Sequence, residues 1–442
     1  VSLPQALSKT VRLFQNFQPE APAIYYRGGN VLTQGQLLAA GYRLAERLDQ
    51  PQPLLNLSQS RAEFVVGLIA TLISKSTMLL PISAHANDLA RVQKAYGGHQ
   101  NLVDFKSQSD GQIFVSDFLD FDGAMSTDNP RIATDQTLAV AFTSGSTGDP
   151  QPHEKTWGAL SYTAQSLTRR FGLGSDACAI ATIPSQHMYG LEMTAMALLQ
   201  GGIGLFNDAP FFPKDIVLAC HDVAKPWLIT TPVHLKALLS ANVAHSELAG
   251  VVSATAPLTV QLAQAAEEAF STPVQEIYGC TEAGSVATRF TTRASRWDLL
   301  DGITFISSGD DATISVPGIA DPVPLTDEIS LAGEGFELLG RGQDMINVAG
   351  KRFSLARLNA ELLDLREIED GIAFLPDDED GIGRPAALVV SELSGREINR
   401  LLTKKIAAAF VPRPILNVVS IPRNAIGKVL REDLMKLYRH LK

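Results

Sequence analysis

The sequence predicts an α/β protein in two parts: a large N-terminal region with several β-sheets and packed helices, then a small α+β unit. Three observations predict it. Short apolar runs (MLLPI, LAVAF, ACAIATI, WLIT, VQEIY) are separated by segments of helical period, as strands covered on both faces by helices would be. The pattern changes near residue 340, where a shorter series of elements begins. A chain of 442 residues is also long enough for more than one core.

The elements follow in order. LTQGQLLAAGYRLAERL has the apolar spacing of an amphipathic helix, and the apolar part of RAEFVVGLIATLI reads as a buried one. DNPRIATD, ahead of LAVAF, reads as an exposed connector. After LLGRGQDMINVAGKRFS come a helix (LARLNAELLDL), two strands (GIAFLP, AALVVSEL), a helix (REINRLLTKKIAAAF), a strand (ILNVVSI) and a closing helix (REDLMKLYRHL). That unit of about 100 residues is large enough to fold alone. The DDED run at 377–380 reads as a solvated turn, and the chain has no internal repeat.

Composition excludes several function classes. A net charge of -10 argues against general nucleic-acid binding, which needs a basic surface. Charge is uneven, however: from Arg396 onward the acids are only Glu397, Glu432 and Asp433 among many Arg and Lys. Such a segment is a solvated helical face or a docking surface for an acidic partner or a phosphate-bearing cofactor. Three cysteines without metal-ligand spacing fit a reducing compartment. The start lacks a signal-peptide pattern, and the longest apolar stretch, FVVGLIATLI, stops at Ser74 and Lys75, so no membrane span and a cytoplasmic location are expected.

Four segments carry candidate chemistry. In LAVAFTSGSTGDP an apolar strand runs into Thr143, Ser144, Gly145, Ser146, Thr147 and Gly148. Such a loop brings backbone N–H groups and hydroxyls around phosphate oxygens, although a Gly/Ser turn after a strand is often only a turn. It is not the usual P-loop, since no Gly-Lys-Ser/Thr follows. In VQEIYGCTEAG a strand reaches Tyr278 and Gly279, then Thr281 and Glu282, a hydroxyl and a carboxylate that can share a magnesium ion; alternatively Glu282 opens a helix. Asp327 in PLTDEI and Arg341 in LLGRGQD suit two ribose hydroxyls and a supporting cation, or a surface ion pair. Lys428 in PRNAIGKVLRED lies in a Gly-containing loop before a helix, placed to reach a distant phosphate or to remain solvated.

The order and spacing of these motifs resemble the adenylate-forming (AMP-binding) superfamily of acyl-CoA synthetases, luciferases and nonribosomal adenylation domains, from about residue 20 to the end. The resemblance implies an AMP-binding domain over 1–342, a small mobile α+β domain over 343–442, and ATP with Mg2+ as cofactors. It implies that residues 143–148 hold the ATP phosphates and that SATAP, with Ala256, is the adenine-side turn. Tyr278 would stack on the base, Thr281 and Glu282 would serve phosphate and magnesium, Asp327 would bind the ribose, and Arg341 would support it. Gln343 falls at the hinge, and Lys428 matches the lysine that contacts the carboxylate and α-phosphate. Gly350, Lys351 and Arg352 fall on the thiol-acceptor side. The implied reaction is attack of a carboxylate on the α-phosphate, then transfer of the acyl group to a thiol.

The chain departs from the pattern in places. The usual Pro-Lys-Gly after the phosphate loop reads Asp149-Pro150-Gln151-Pro152-His153, leaving Lys155 as the nearest lysine. Thr-Gly-Asp at the ribose site reads Leu325-Thr326-Asp327, and Gln343 is neither acidic nor lysine. Retention of Glu282, Asp327, Arg341 and Lys428 favours an enzyme over a non-catalytic ATP-binding scaffold. PSQHMYG (184–190) corresponds to the acyl-pocket segment, with His187 where amino-acid-activating relatives place an aspartate. With Val233, Ala254, Gly279 and Cys280 it suits an aromatic or aliphatic acid, although His187 is equally a core residue by its neighbours. For the acceptor, the basic C-terminal region favours the phosphopantetheine arm of an acidic carrier protein, with coenzyme A as the alternative.

Overall fold

The computed structural model describes residues 8–48, 51–81, 85–104, 112–144, 150–241, 247–307, 312–333, 335–341, 345–348, 351–376, 384–408, 410–424 and 429–441. Among them a nine-stranded sheet runs Asp298–Leu299, Gly284–Phe290, Val274–Cys280, Gly250–Ser253, Pro226–Thr230, Cys178–Ala181, Gly204–Phe206, Pro22–Tyr25, Val31–Thr33. Neighbouring strands from Val274–Cys280 through Pro22–Tyr25 are parallel, and antiparallel strands close both edges. A six-stranded sheet orders Pro150–Thr156, Thr137–Ser144, Thr77–Leu80, Pro53–Asn56, Gln100–Val103 and Gln112–Phe114. Its parallel strands need crossovers, and the helices Gln34–Arg47 and Arg61–Ile73 pack on one another beside them. Pro150 and Pro152 are tolerated because their strand is at the sheet edge.

Local sequence explains these elements. Thr33 and Gln36 form a capping box that starts Gln34–Arg47, the helix expected from its periodicity. Arg61–Ile73 is buried almost all round, as its apolar run predicts. DNPRIATD is not an exposed connector. Arg131–Ala133 pairs with Thr10–Arg12, and buried Asn129 accepts from the Phe14 N–H at 3.0 Å and donates to its carbonyl at 2.8 Å. An amide supplies a donor and an acceptor together, which is what an unpaired peptide group needs.

The C-terminal elements appear in the expected kind and order, several of them shortened. The helix capped by Ser394 and Glu397 spans Gly395–Thr403 and not the whole of REINRLLTKKIAAAF. Lys405 turns to pair with Asp364, while Ile406 and Phe410 are drawn into the core beside Leu358 and Leu362. The strand in ILNVVSI is only Ile415–Asn417, and Val419 is 97% exposed. The three-stranded sheet Asp370–Phe374, Ala386–Val390, Ile415–Asn417 completes this α+β part. Residues 377–380 lie outside the described residues. The fold is therefore a large mixed α/β region with several sheets, followed by a smaller α+β region. Among the described residues no helix is long and apolar enough to cross a membrane.

Candidate active site

The site gathers at one end of the parallel strands, where loops can carry polar groups without breaking the ladder. Val274–Cys280 and Gly284–Phe290 form a hairpin, and Thr281, Glu282 and Ala283 are its turn. Glu282 therefore does not open a helix; the chain reverses at once into an antiparallel partner. Tyr278, near the tip, is 9% exposed and packs against Trp297 and Phe336. Its hydroxyl donates to Asp327 Oδ2 at 2.7 Å. Asp327 in turn opens the strand Asp327–Ala332 and pairs in register with Arg341, so the two ends expected to meet the ribose are cross-strand partners.

On the opposite side, Thr137–Ser144 leads toward the phosphate-loop sequence, whose Gly145, Ser146, Thr147 and Gly148 lie outside the described residues. The chain returns along Pro150–Thr156, so Gln151, His153 and Lys155 share one face by strand alternation. His153 Nε2 is 3.0 Å from Thr143 Oγ1 and 3.6 Å from Glu282 Oε1. Burial lowers the imidazole's pKa, opposed by Glu282 and assisted by Lys155. Lys155 is 4% exposed and donates to the Glu282 carbonyl at 2.6 Å. Burial lowers its pKa, with Glu192, Cys280 and Glu282 acting against that. The sequence marks Lys155 only as the nearest lysine to the phosphate loop and gives His153 no role; the alternation Gln-x-His-x-Lys was the available signal.

SATAP forms the turn after Gly250–Ser253, with Ala254 buried and Thr255 at φ +78°, strained for a β-branched residue. The PSQHMYG segment is fastened from several sides. Tyr189 donates to the Val252 carbonyl at 2.8 Å, and Gln186 to the Ser58 carbonyl at 2.5 Å. Arg61, 1% exposed, donates to Ser185 Oγ at 2.9 Å and to the carbonyls of Ala181 and Ile183 at 2.5 and 3.0 Å. Gly190 is needed for its close approach, since a Cβ there would lie 1.9 Å from the Pro184 oxygen. His187 precedes the helical turn Met188–Leu191, and desolvation pulls its imidazole down to about 4, so it is neutral near pH 7. Cys280 is half-buried, and burial pushes its thiol up to about 12.

A cleft of about 1910 Å³ lies between the SATAP turn, Tyr278 and Asp327 on one side and the C-terminal part on the other; His187, Ala254, Cys280, Glu282 and Lys155 do not line it. Val233, Ala256, Tyr278, Gly279 and Asp327 line one wall, and residues including Asn359 and Arg423 line the other. Lys236 bridges the walls through the carbonyls of Ile368 and Glu369. Gln343, Gly350 and Lys428 lie outside the described residues; the strands Met345–Val348 and Lys351–Ser354 pair between them, with Lys351 opposite Val348 and Arg352 opposite Asn347.

The profile of the family described as AMP-binding enzyme matches residues 14–315. The chain belongs to that family. Among curated relatives, this AMP-binding enzyme is 28% identical over 358 residues to a probable CoA ligase of Humulus lupulus, covering 70% of this chain and 64% of the relative. It is 24% identical over 304 residues to the 3,4-dihydroxybenzoate–[aryl-carrier protein] ligase of Bacillus anthracis, covering 67% and 73%. The chain thus spans about two thirds of the length of such relatives. The solved o-succinylbenzoate CoA synthetase of Bacillus subtilis, in complex with its acyl-adenylate intermediate, superposes with a TM-score of 0.81 at 20% identity over 94% of this chain and 96% of that one. The fold of this AMP-binding enzyme is accordingly the adenylate-forming fold, a large α/β domain and a smaller α+β domain.

Proposed function

We propose that the protein activates a carboxylic acid with ATP as its acyl-adenylate and transfers the acyl group to the thiol of coenzyme A. The observation that carries this reading is the meeting of three distant segments: the Thr143 strand end with His153 on its partner strand, the hairpin that carries Tyr278 and Glu282, and Asp327. In the first step a carboxylate oxygen attacks the α-phosphorus, and the bond to the β-phosphate oxygen breaks with its electron pair leaving on pyrophosphate. In the second, a thiolate sulfur attacks the acyl carbon and AMP leaves. Little covalent work falls to the protein, which aligns two anions and offsets their charge. Asp327 accepts the ribose hydroxyls while Tyr278 fixes its carboxylate. Glu282, its side chain 39% exposed and linked to the Thr143 hydroxyl through His153, offers the hard carboxylate oxygen that magnesium prefers. Magnesium held there supplies charge neutralisation for the phosphates. The hydroxyls and backbone of 143–148 cradle those phosphates, and Lys428 bridges carboxylate and α-phosphate. Residues 1–342 and 343–442 form the two domains, hinged at Gln343, so that Gly350, Lys351 and Arg352 replace Lys428 for thiol transfer. His187, Val233, Ala254, Gly279 and Cys280 wall the acid pocket.

Coenzyme A is preferred as acceptor because CoA ligases predominate among the similar proteins. One observation favours a second reading, the carrier-protein arm: Arg396, Arg400 and Arg413 surround one exposed groove, which suits an acidic partner. The test is pyrophosphate release from ATP and Mg2+ across benzoates, cinnamates and fatty acids, followed by thioester analysis with CoA or a loaded carrier protein. Acid-dependent release that is lost in Lys428→Ala supports the reading. ATP binding without release for any acid would sink it.

A further inference from the structure

Beneath the Thr281–Ala283 turn lies a polar cluster that adenylation leaves unused. Lys155 reaches it from the edge strand Pro150–Thr156. Among the described residues its ammonium has one acceptor, the Glu282 carbonyl. An ammonium carries three donors, and buried donors are normally satisfied. Glu192 enters from the other side, 1% exposed, at the first position of the π-helical stretch Glu192–Gly201. Such widened helical turns concentrate at functional sites. Its Oε2 accepts from Ser285 Oγ at 2.5 Å and its Oε1 from the Ser285 N–H at 3.2 Å. At Gly284 (φ +78°) a Cβ would stand 2.4 Å from Glu192 Oε1 and 3.9 Å from Met188 Cε. The carboxylate is thus packed against the hairpin that carries Cys280 and Glu282, next to the segment that carries His187. Lys155 and Glu192 act on each other electrostatically but form no direct ion pair among the described residues.

We propose that Lys155 and Glu192 form a hydrogen-bonding floor of the acid pocket that selects a carboxylic acid bearing a hydroxyl group. The inference rests on the acid-activating reading above. The hydroxyl accepts from Lys155 and donates to Glu192, a pairing that a carboxylate, an ammonium or a hydrocarbon does not make. A second carboxylate meets the charge of Glu192, an ammonium meets that of Lys155, and a hydrocarbon leaves both buried groups without a new partner. Sites built to bond a substrate hydroxyl discriminate strongly against the analogue lacking it.

The experiment compares kcat/KM for pyrophosphate release with matched acids, benzoate against its 3- and 4-hydroxy forms and hexanoate against 6-hydroxyhexanoate, in the parent, Lys155→Met and the near-isosteric Glu192→Gln. The parent is expected to prefer one hydroxylated acid by roughly 100-fold or more. Each variant should cut that ratio at least about tenfold. A purely structural role lowers both members of a pair together and leaves the ratio unchanged, so an unchanged ratio in Glu192→Gln overturns the proposal even where Lys155→Met does not fold. A parent without hydroxyl preference overturns it too. Failure of the parent to turn over any acid is a separate result, which removes the acid-activating reading itself.

Discussion

Replacing Arg61 with leucine tests whether the acid-pocket segment is held in place by a buried cation. The side chain leaves the first turn of Arg61–Ile73 and is 1% exposed. Its guanidinium serves three acceptors closely, Ser185 Oγ at 2.9 Å and the Ala181 and Ile183 carbonyls at 2.5 and 3.0 Å. Leaving each of them unpaired in the interior costs about 1–3 kcal/mol, or about 3–9 kcal/mol together. Burial is not free for the cation, whose pKa is pulled well below the ordinary guanidinium value, to about 10. That difference corresponds to about 3 kcal/mol, recovered when the charge is removed. The net expectation for Arg61→Leu is a loss of about 3 kcal/mol, together with a raised KM for the acid because 181–185 loosens. Arg61→Lys keeps the charge but not the fork, and should lie between parent and leucine. Thermal unfolding with and without ATP reads the first effect, and steady-state pyrophosphate release the second. A leucine variant with parental melting and an unchanged KM for the acid would show that the three bonds contribute nothing net.

Tyr278→Phe removes the 2.7 Å bond to Asp327 and should raise KM for ATP about five- to tenfold, roughly 1 kcal/mol, with little change in KM for the acid. Arg289→Met strands Glu276, 3% exposed and paired at 2.7 Å, and should cost about 3–5 kcal/mol in denaturant unfolding; Glu276→Gln with Arg289→Met should recover part of that loss. Burial pushes Glu192 up to about 7 from its ordinary 4.5. The folded state then holds the proton more tightly than the unfolded one, so this contribution is fully present below about pH 4.5 and is lost as pH rises through about 7. Relative to Glu192→Gln, the parent should lose about 3 kcal/mol across that window, a slope that unfolding at several pH values would reveal or exclude. Gly190→Ala, whose Cβ would stand 1.9 Å from a carbonyl oxygen, should weaken acid binding more than ATP binding in KM measurements.

What could be read in advance followed from period and local chemistry. The amphipathic helix at 34–47, the buried helix at 61–73 and the short apolar strands each announce themselves within a few residues. The Asp327–Arg341 pairing was implied by the family pattern, and the register places the two opposite one another. What stayed hidden depends on chain segments far apart. Asn129 looks like a connector residue until Phe14 presents a peptide group with no ladder partner. Glu282 resembles a helix opener until Gly284, at positive φ, turns the strand back on itself. Lys155 and Glu192 carry no local sign of each other, because only the hairpin tip brings them together.

The altered phosphate loop changes where positive charge sits. Gln151 stands at the position the family gives to lysine, and the two basic side chains on the same strand face come later, at His153 and Lys155. Burial and Lys155 disfavour the charged form of His153 while Glu282 favours it, and its Nε2 stands between the Thr143 hydroxyl and Glu282. Lys155 is spent beneath the turn, on the Glu282 carbonyl. Neither replaces a lysine that reaches outward to pyrophosphate. On the adenylating reading proposed above, the terminal phosphates are left to hydroxyls, backbone N–H groups and magnesium at Glu282, with no outward ammonium on this strand to be screened by salt. KM for ATP should accordingly depend steeply on Mg2+ and only weakly on added salt, and a steep salt dependence at saturating Mg2+ would place an outward cation back in the site.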